Sequence, residues 1–291
     1  MRNIFLGTDF FGDCDDAVAI RLLCRAHKRG EINLVGIGIN AYAPTSLDAI
    51  SGMLNIEGVS GIPVGIDLKG NEFKDDLCRY HGGLLPYAKE RIPKVDAVKV
   101  YRSAIASADG KVDIAEIGFL HVLSDVLDSD GDEISPLNGV ELFKQKVNRV
   151  WTMAGKWDED GGREYNVFCH GRSIDGARRL VKSCPVPITF LGFEIGVDVI
   201  SGSKLDASDP LKRVLADYGT PDGRCSWDPM LAHLAILGDA DMAGYSEIMG
   251  VAAFDPDGCN HFIPDENGPH GYLIRKFEPQ YYADVIDSLI K

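Results

Sequence analysis

Apolar runs alternate with helical periodicities along most of this chain. Ile4-Phe5-Leu6, within about Asn3 to Gly7, reads as a strand, and Ala17-Val18-Ala19-Ile20-Arg21-Leu22-Leu23 carries a helical pattern from Asp15 to about Arg29. Ile32 to Ile39 is almost continuously apolar, as expected of a parallel strand covered on both faces. A helix over about Ser46 to Ile56, apolar at Leu47, Ile50, Met53 and Leu54, is followed by a short strand from Pro63 to Ile66. This alternation predicts an α/β fold: a single domain with a mostly parallel, Rossmann-like central sheet flanked by helices and joined by right-handed crossovers. Ligands of such a sheet bind at the carboxyl ends of its strands.

The pattern continues with a helix near Val95 to Ala108, a strand from Val112 to Ile117, the turn Gly118-Phe119-Leu120 and another helix. A strand Arg149 to Met153 precedes a polar loop, Gly155 to Arg163, and the segment Glu164-Tyr165-Asn166. Next come a helix over about Ile174 to Ser183 and a strand from Pro187 to Gly192. Ser226-Trp227-Asp228-Pro229 opens a further helix with proline in its first turn. A strand over about Ile248 to Phe254 and a helix over about Pro279 to Ile290 close the chain. Lys69 to Pro93, which contains Tyr80-His81-Gly82-Gly83, is polar and non-periodic, so it reads as an active-site lid or a plain surface loop. Asp128 to Glu133 imitates the start of an EF-hand loop, but Glu133 stands at the sixth position and Gly139 at the twelfth, so it reads as a solvated acidic loop. No composition break or repeat divides residues 1–291, which therefore read as one domain.

Charge narrows the partners. Thirty Lys and Arg against 44 Asp and Glu give a formal net charge of −14, which disfavours nucleic-acid backbones and anionic membranes. No apolar run reaches the length of a membrane span, and Met1-Arg2-Asn3-Ile4 leads straight into a strand without a signal-peptide core, so a cytoplasmic location is expected. Seven scattered cysteines without a Cys-x-x-Cys pair read as reduced thiols.

The chemistry concentrates in Thr8-Asp9-Phe10-Phe11-Gly12-Asp13-Cys14-Asp15-Asp16, where four carboxylates fall within eight residues between a strand and a helix start. Free N–H groups and the helix dipole stabilise such carboxylates, yet four together repel one another. With no basic residue before Arg21 on the far side, a hard divalent cation with oxygen ligands is the better remedy. An acidic helix cap with a solvated loop is the other reading of the same residues. A phosphatase reading of Asp13-Cys14-Asp15 lacks an acidic neighbour for Asp228, and Gly36-Ile37-Gly38-Ile39-Asn40-Ala41 lacks the third glycine of a dinucleotide fingerprint.

Five blocks in order give the chain a resemblance to the inosine-uridine nucleoside hydrolase family: the Asp cluster running into Asp15-Asp16-Ala17-Val18-Ala19, Asn40 after the second strand, Gly118-Phe119-Leu120, Glu164-Tyr165-Asn166 and Trp227-Asp228-Pro229. The resemblance implies hydrolysis of the N-glycosidic bond of a ribonucleoside, with one Ca²⁺ as cofactor. Its implied ligands are Asp9, Asp16, the Ile117 carbonyl and Asp228, with Asp9 also the general base. The same resemblance puts Asp15, Asn40, Glu164 and Asn166 on the ribose hydroxyls, Met153 beneath the ring, and Trp227 against the base. It implies a small-molecule nucleoside as the partner and a homodimer or homotetramer as the assembly.

Three departures from the family pattern bear on substrate. The turn after Asp9 is two residues longer and adds Asp13; His121-Val122 replaces the usual Thr-Asn; and Trp227 stands where many members have a histidine acid. The tryptophan resembles the purine-preferring subgroup, in which aromatics sandwich the base; His81, Tyr80 and Phe11 are the candidates for the opposite wall. The alternative from another class is a non-catalytic, calcium-dependent ribose- or nucleoside-binding protein on the same scaffold.

Overall fold

The computed structural model describes all residues from Met1 to Lys291. The chain begins β1 (Arg2–Thr8), α1 (Asp15–Lys28), β2 (Ile32–Ile39), α2 (Ser46–Ile56) and β3 (Val64–Ile66), close to the predicted bounds. Two 3-10 turns, His81–Gly83 and Leu85–Tyr87, interrupt the long loop that follows. The middle of the chain is α3 (Ala97–Ser107), β4 (Val112–Glu116), α4 (His121–Leu127), α5 (Gly139–Lys146), β5 (Val147–Met153), α6 (Tyr165–Phe168), α7 (Gly171–Ser183) and β6 (Ile188–Leu191). The last third is α8 (Phe193–Gly196), β7 (Ile200–Ser201), α9 (Pro210–Tyr218), β8 (Arg224–Cys225), α10 (Trp227–Leu237), β9 (Tyr245–Phe254), β10 (Asn260–Pro264), β11 (His270–Arg275) and α11 (Pro279–Ile290).

Nine strands form one sheet in the order β10-β9-β11-β6-β5-β4-β1-β2-β3. Only β9 runs against its neighbours. The chain leaves β1 outward through β2 and β3, then returns to β4 on the other side of β1 and proceeds outward through β5 and β6. The order therefore reverses between β1 and β4, and a crevice opens at the carboxyl ends of these two strands, as it does at any such switch point. Asp9 and Ile117 stand there, one residue past each strand.

Alternation along β1 divides the core. Ile4 and Leu6 pack with α1, α2, α10 and α11, through residues such as Leu23, Ile50, Leu234 and Ile286. Phe5 faces the opposite layer with Tyr101 of α3, Leu123 of α4, Phe143 of α5 and Leu180 of α7. No helix is long and apolar enough to cross a membrane.

Several elements, α6, α8, α9, β7, β8, β10 and β11 among them, are not expected from the sequence, and two further features differ from expectation. α5 carries no strong periodicity; it starts because the Asn138 side chain accepts the Glu141 N–H at 2.9 Å and caps the helix. The acidic segment Asp128 to Glu133 is not merely solvated: Asp132 accepts from Nε and Nη2 of the buried Arg102 at 3.0 and 2.9 Å, which supplies that guanidinium with a counter-charge.

Candidate active site

The turn after β1 is built around one strained residue. Phe10 adopts φ = +43°, the single non-glycine residue in the left-handed region, a conformation that persists only where its surroundings impose it. Here they do: its N–H donates to Thr8 Oγ1 at 3.1 Å and Asp16 Oδ1 at 3.2 Å, and its carbonyl accepts from His81 Nε2 at 2.8 Å. Thr45 Oγ1 meets the other ring nitrogen of His81 at 2.7 Å. Burial lowers the His81 pKa to about 4, so the ring is neutral and structural.

Two helix N-termini converge on this turn. Asp15 and Asp16 occupy the first turn of α1, Asp228 occupies the first turn of α10, and the Asp228 N–H donates to Asp15 Oδ2 at 3.1 Å. Asp15, Asp16 and Asp228 each bring an oxygen within 4.8 Å of the others, all three buried. Asp9 lies beside Asp16 and shares a hydrogen bond with it. Burial first, and then neighbouring carboxylates, raise Asp15, Asp16 and Asp228 well above the ordinary carboxylate range and Asp9 to about 6. An oxygen-only set of crowded carboxylates of this kind fits a hard divalent cation, whose charge would remove the repulsion.

These four aspartates form the floor of a cavity of about 310 Å³, which Ile117, Met153, Glu164, Asn166 and Trp227 also line. Glu164 caps α6: its Oε1 accepts the Asn166 N–H at 2.7 Å and its Oε2 the Gly155 N–H at 3.2 Å, while burial pushes its pKa up to about 8. Asn166 Nδ2 donates to the carbonyls of Ile117 and Met153 at 3.1 and 3.0 Å, which leaves its oxygen as the group it can offer a ligand. Trp227 stacks on Phe193 with centroids 5.3 Å apart and donates its indole N–H to the Phe193 carbonyl at 2.6 Å.

Asn40 is the predicted ribose contact that the structure does not bring to the cavity. Its Nδ2 donates to Glu116 Oε1 at 2.8 Å and its Oδ1 accepts the Phe119 N–H at 2.9 Å, so the amide is spent behind the floor. Glu116 is the cause: it lies fully buried, also accepts from Tyr101 Oη at 2.7 Å, and is pushed up to about 8 by burial. Gly118 completes this wall, because a Cβ there would sit 2.3 Å from the Asp9 nitrogen and 2.5 Å from Asn40 Oδ1.

Other expectations shift in detail. Asp15, expected at the ribose, lines the cavity and is also a member of the converging triad, with Asp9 beside it. Tyr80 and His81 pack around Phe10 in the core rather than facing Trp227, and Phe11 packs on Phe73. The aromatics that do line the cavity beside Trp227 are Phe193, Tyr165 and Tyr218. Asp13 turns to Arg224, which binds it through Nε at 2.9 Å and through Nη2. Sequence reasoning missed Phe193 and Arg224, which fall in elements of four and two residues, and Tyr218, which ends the amphipathic helix α9 whose Leu211, Val214 and Leu215 face inward. Glu116 left a signal: a charged residue in an otherwise covered parallel strand needs buried partners.

No protein-family model matches the chain, and no curated protein matches it. Solved structures do. The chain superimposes over its whole length on the inosine-uridine preferring nucleoside hydrolase from Bacillus anthracis, with a TM-score of 0.72 and 17% identity across 99% of that chain. The purine-preferring ribonucleoside hydrolase from Gardnerella vaginalis matches 100% of this chain and 99% of its own, at a TM-score of 0.74 and 14% identity. The fold is that of the nucleoside hydrolases. A third structure, type III effector protein XopQ complexed with adenosine diphosphate ribose, has the same nucleoside hydrolase fold at a TM-score of 0.71 and 12% identity, covering 99% of this chain and 92% of its own.

Proposed function

We propose that this chain hydrolyses the N-glycosidic bond of a ribonucleoside, a purine or modified purine, to free base and ribose, with Ca²⁺ as its metal. The observation that carries the reading is the convergence of buried carboxylates on one floor, at the switch point of a nucleoside hydrolase fold, beneath a wall of aromatic rings. The residues that would hold the ion are Asp9, Asp16, the Ile117 carbonyl and Asp228, with the Asp15 carboxylate in the same cluster. When bound, the cation supplies the positive charge that lowers the pKa of water.

The chain's own groups carry the rest. Asp9, on the cavity floor beside Asp16, accepts the proton of the attacking water at its carboxylate. The water oxygen bonds to the anomeric carbon as the bond to the base nitrogen breaks. Asp15, Glu164 and the free oxygen of Asn166 accept from the ribose hydroxyls, and Met153 lies under the sugar. The dipoles of these oxygens stabilise the positive charge that develops on the sugar ring. Trp227 stacks on the base. Asn40 acts behind the floor by holding the Phe119 N–H. A homodimer or homotetramer in the cytoplasm is part of the same reading, and light scattering on the purified protein measures the assembly.

The test is incubation with inosine, guanosine, adenosine, uridine and cytidine in Ca²⁺, followed by chromatography for free base. Release from purines is the expected result. Trp227→Ala is expected to cost about 5- to 150-fold in kcat/KM on purines, the equivalent of the roughly 1–3 kcal/mol of a base–aromatic stack, and less on pyrimidines; equal losses would show that stacking is not its role. A second reading, a calcium-dependent ribose or nucleoside binder without turnover, is favoured by one observation: no histidine lines the cavity to protonate the base. Ligand-dependent thermal stabilisation without sugar release identifies it.

A further inference from the structure

Cleavage of an N-glycosidic bond leaves the electron pair on the base nitrogen, so the base departs as an anion unless a proton or a cation meets it. No histidine lines the cavity. The Trp227 N–H is committed to the Phe193 carbonyl. The cavity does hold one cationic side chain, Arg224 on β8.

The surroundings of Arg224 are built. Its guanidinium carbon lies 5.4 Å from the ring centroid of Tyr218 and 5.4 Å from that of Trp227, so the cation bridges two cavity aromatics. Nε and Nη2 grip the Asp13 carboxylate, whereas Nη1 has no oxygen partner and only a remote sulfur at 4.0 Å. Asp13 belongs to the two extra residues of the turn after β1. Two departures from the family pattern, the added aspartate and the tryptophan at the acid position, thus meet at one guanidinium. The Asp13 charge also makes Arg224 still harder to deprotonate, so it serves as a fixed charge and not as an acid.

We propose that Arg224 is the group that meets the departing base: its Nη1 N–H stabilises the base anion, it selects bases that spread charge onto an acceptor oxygen, the 6-oxopurines, and Asp13 positions it. This inference rests on the hydrolase reading and names its substrate class. In the balanced step, the water oxygen bonds to the anomeric carbon, the bond to the base nitrogen breaks with its electron pair retained by the base, and the water proton passes to Asp9. The base anion, held by Arg224, is protonated by solvent on release, and Asp9 returns its proton to solvent. Adenine, which presents an amino donor where 6-oxopurines present oxygen, gains less from a guanidinium and is cleaved more slowly.

The experiment compares the wild type, Arg224→Met, Arg224→Lys and Asp13→Asn on inosine and on p-nitrophenyl β-D-ribofuranoside, whose leaving group departs as a stable anion without help. Arg224→Met is expected to lower kcat on inosine by about 100-fold, in line with loss of one preorganised donor to developing charge, with a loss on the p-nitrophenyl riboside at least tenfold smaller. Arg224→Lys recovers part of the inosine rate. Asp13→Asn shows the same inosine-selective loss in milder form, a pattern that a merely structural role would not produce. Equal losses on both substrates in Arg224→Met overturn the assignment of Arg224 while leaving the hydrolase intact. Sugar release from neither substrate by the wild type overturns the hydrolase reading itself. Melting curves of the variants verify folding, and Arg224→Lys, which keeps the charge, stands in if the methionine variant does not fold.

Discussion

Asp9→Asn is expected to lower kcat for sugar release by roughly 10³-fold, within the range that general-base catalysis contributes, with a smaller change in KM. Asparagine keeps the shape of the side chain and can still face Asp16, but it cannot accept a proton. The effect on stability should have the opposite sign. Asp9 is buried, and the neighbouring carboxylates of Asp15, Asp16 and Asp228 are each pushed up partly by its charge. Removing that charge in the metal-free protein relieves repulsion, so the melting temperature in EGTA should hold or rise. Loss of activity with a falling melting temperature would mean that Asp9 supports the turn rather than the chemistry.

Chelation is the second large effect. In EGTA, activity and melting temperature should fall together at neutral pH. A site that binds its ion in thousandfold excess over Kd contributes about 4 kcal/mol of apparent stability. The pH dependence supplies a check with a definite sign. Folded-state pKa values raised above the usual carboxylate range mean that the metal-free fold binds more protons than the unfolded chain. The destabilisation is therefore full above the folded pKa and is relieved as pH falls towards about 4, the ordinary aspartate value. For Asp9 this window runs from about 6 downward. Melting curves in EGTA should consequently converge on those in Ca²⁺ as the buffer is acidified from pH 8 to 5. An unchanged melting temperature after verified metal removal would overturn the cation site.

The parts of this protein legible in its sequence are those set by contacts between near neighbours. Periodicity placed β2, α2 and α11 at nearly their observed bounds, because a strand covered on both faces and a helix with one apolar stripe must repeat their side chains at fixed intervals. Alternating strand and helix implied a parallel sheet, and the Asp cluster fell at the end of its first strand. Trp227-Asp228-Pro229 announced a helix start, so the acidic residue on it was readable too. The edge strand β10 and the inner strand β11 were not, since their short mixed-polarity segments hold their place by pairing, β10 with β9 and β11 with β9 and β6.

What only the tertiary structure decided are the partnerships across long separations. Asp13 and Arg224 lie 211 residues apart in the chain, and nothing local to either names the other. Asn40 sits where a ribose contact was expected, yet Glu116, 76 residues further on, withdraws its amide behind the floor. Asp15 and Asp228 come together because α1 and α10 pack side by side and aim their N-termini at one point. Hydrophobic patterning specifies which face of an element is buried but not which polar ends meet once it is. That depends on the order of strands in the sheet, and the reversal between β1 and β4 is what gathers these charges around a single cavity.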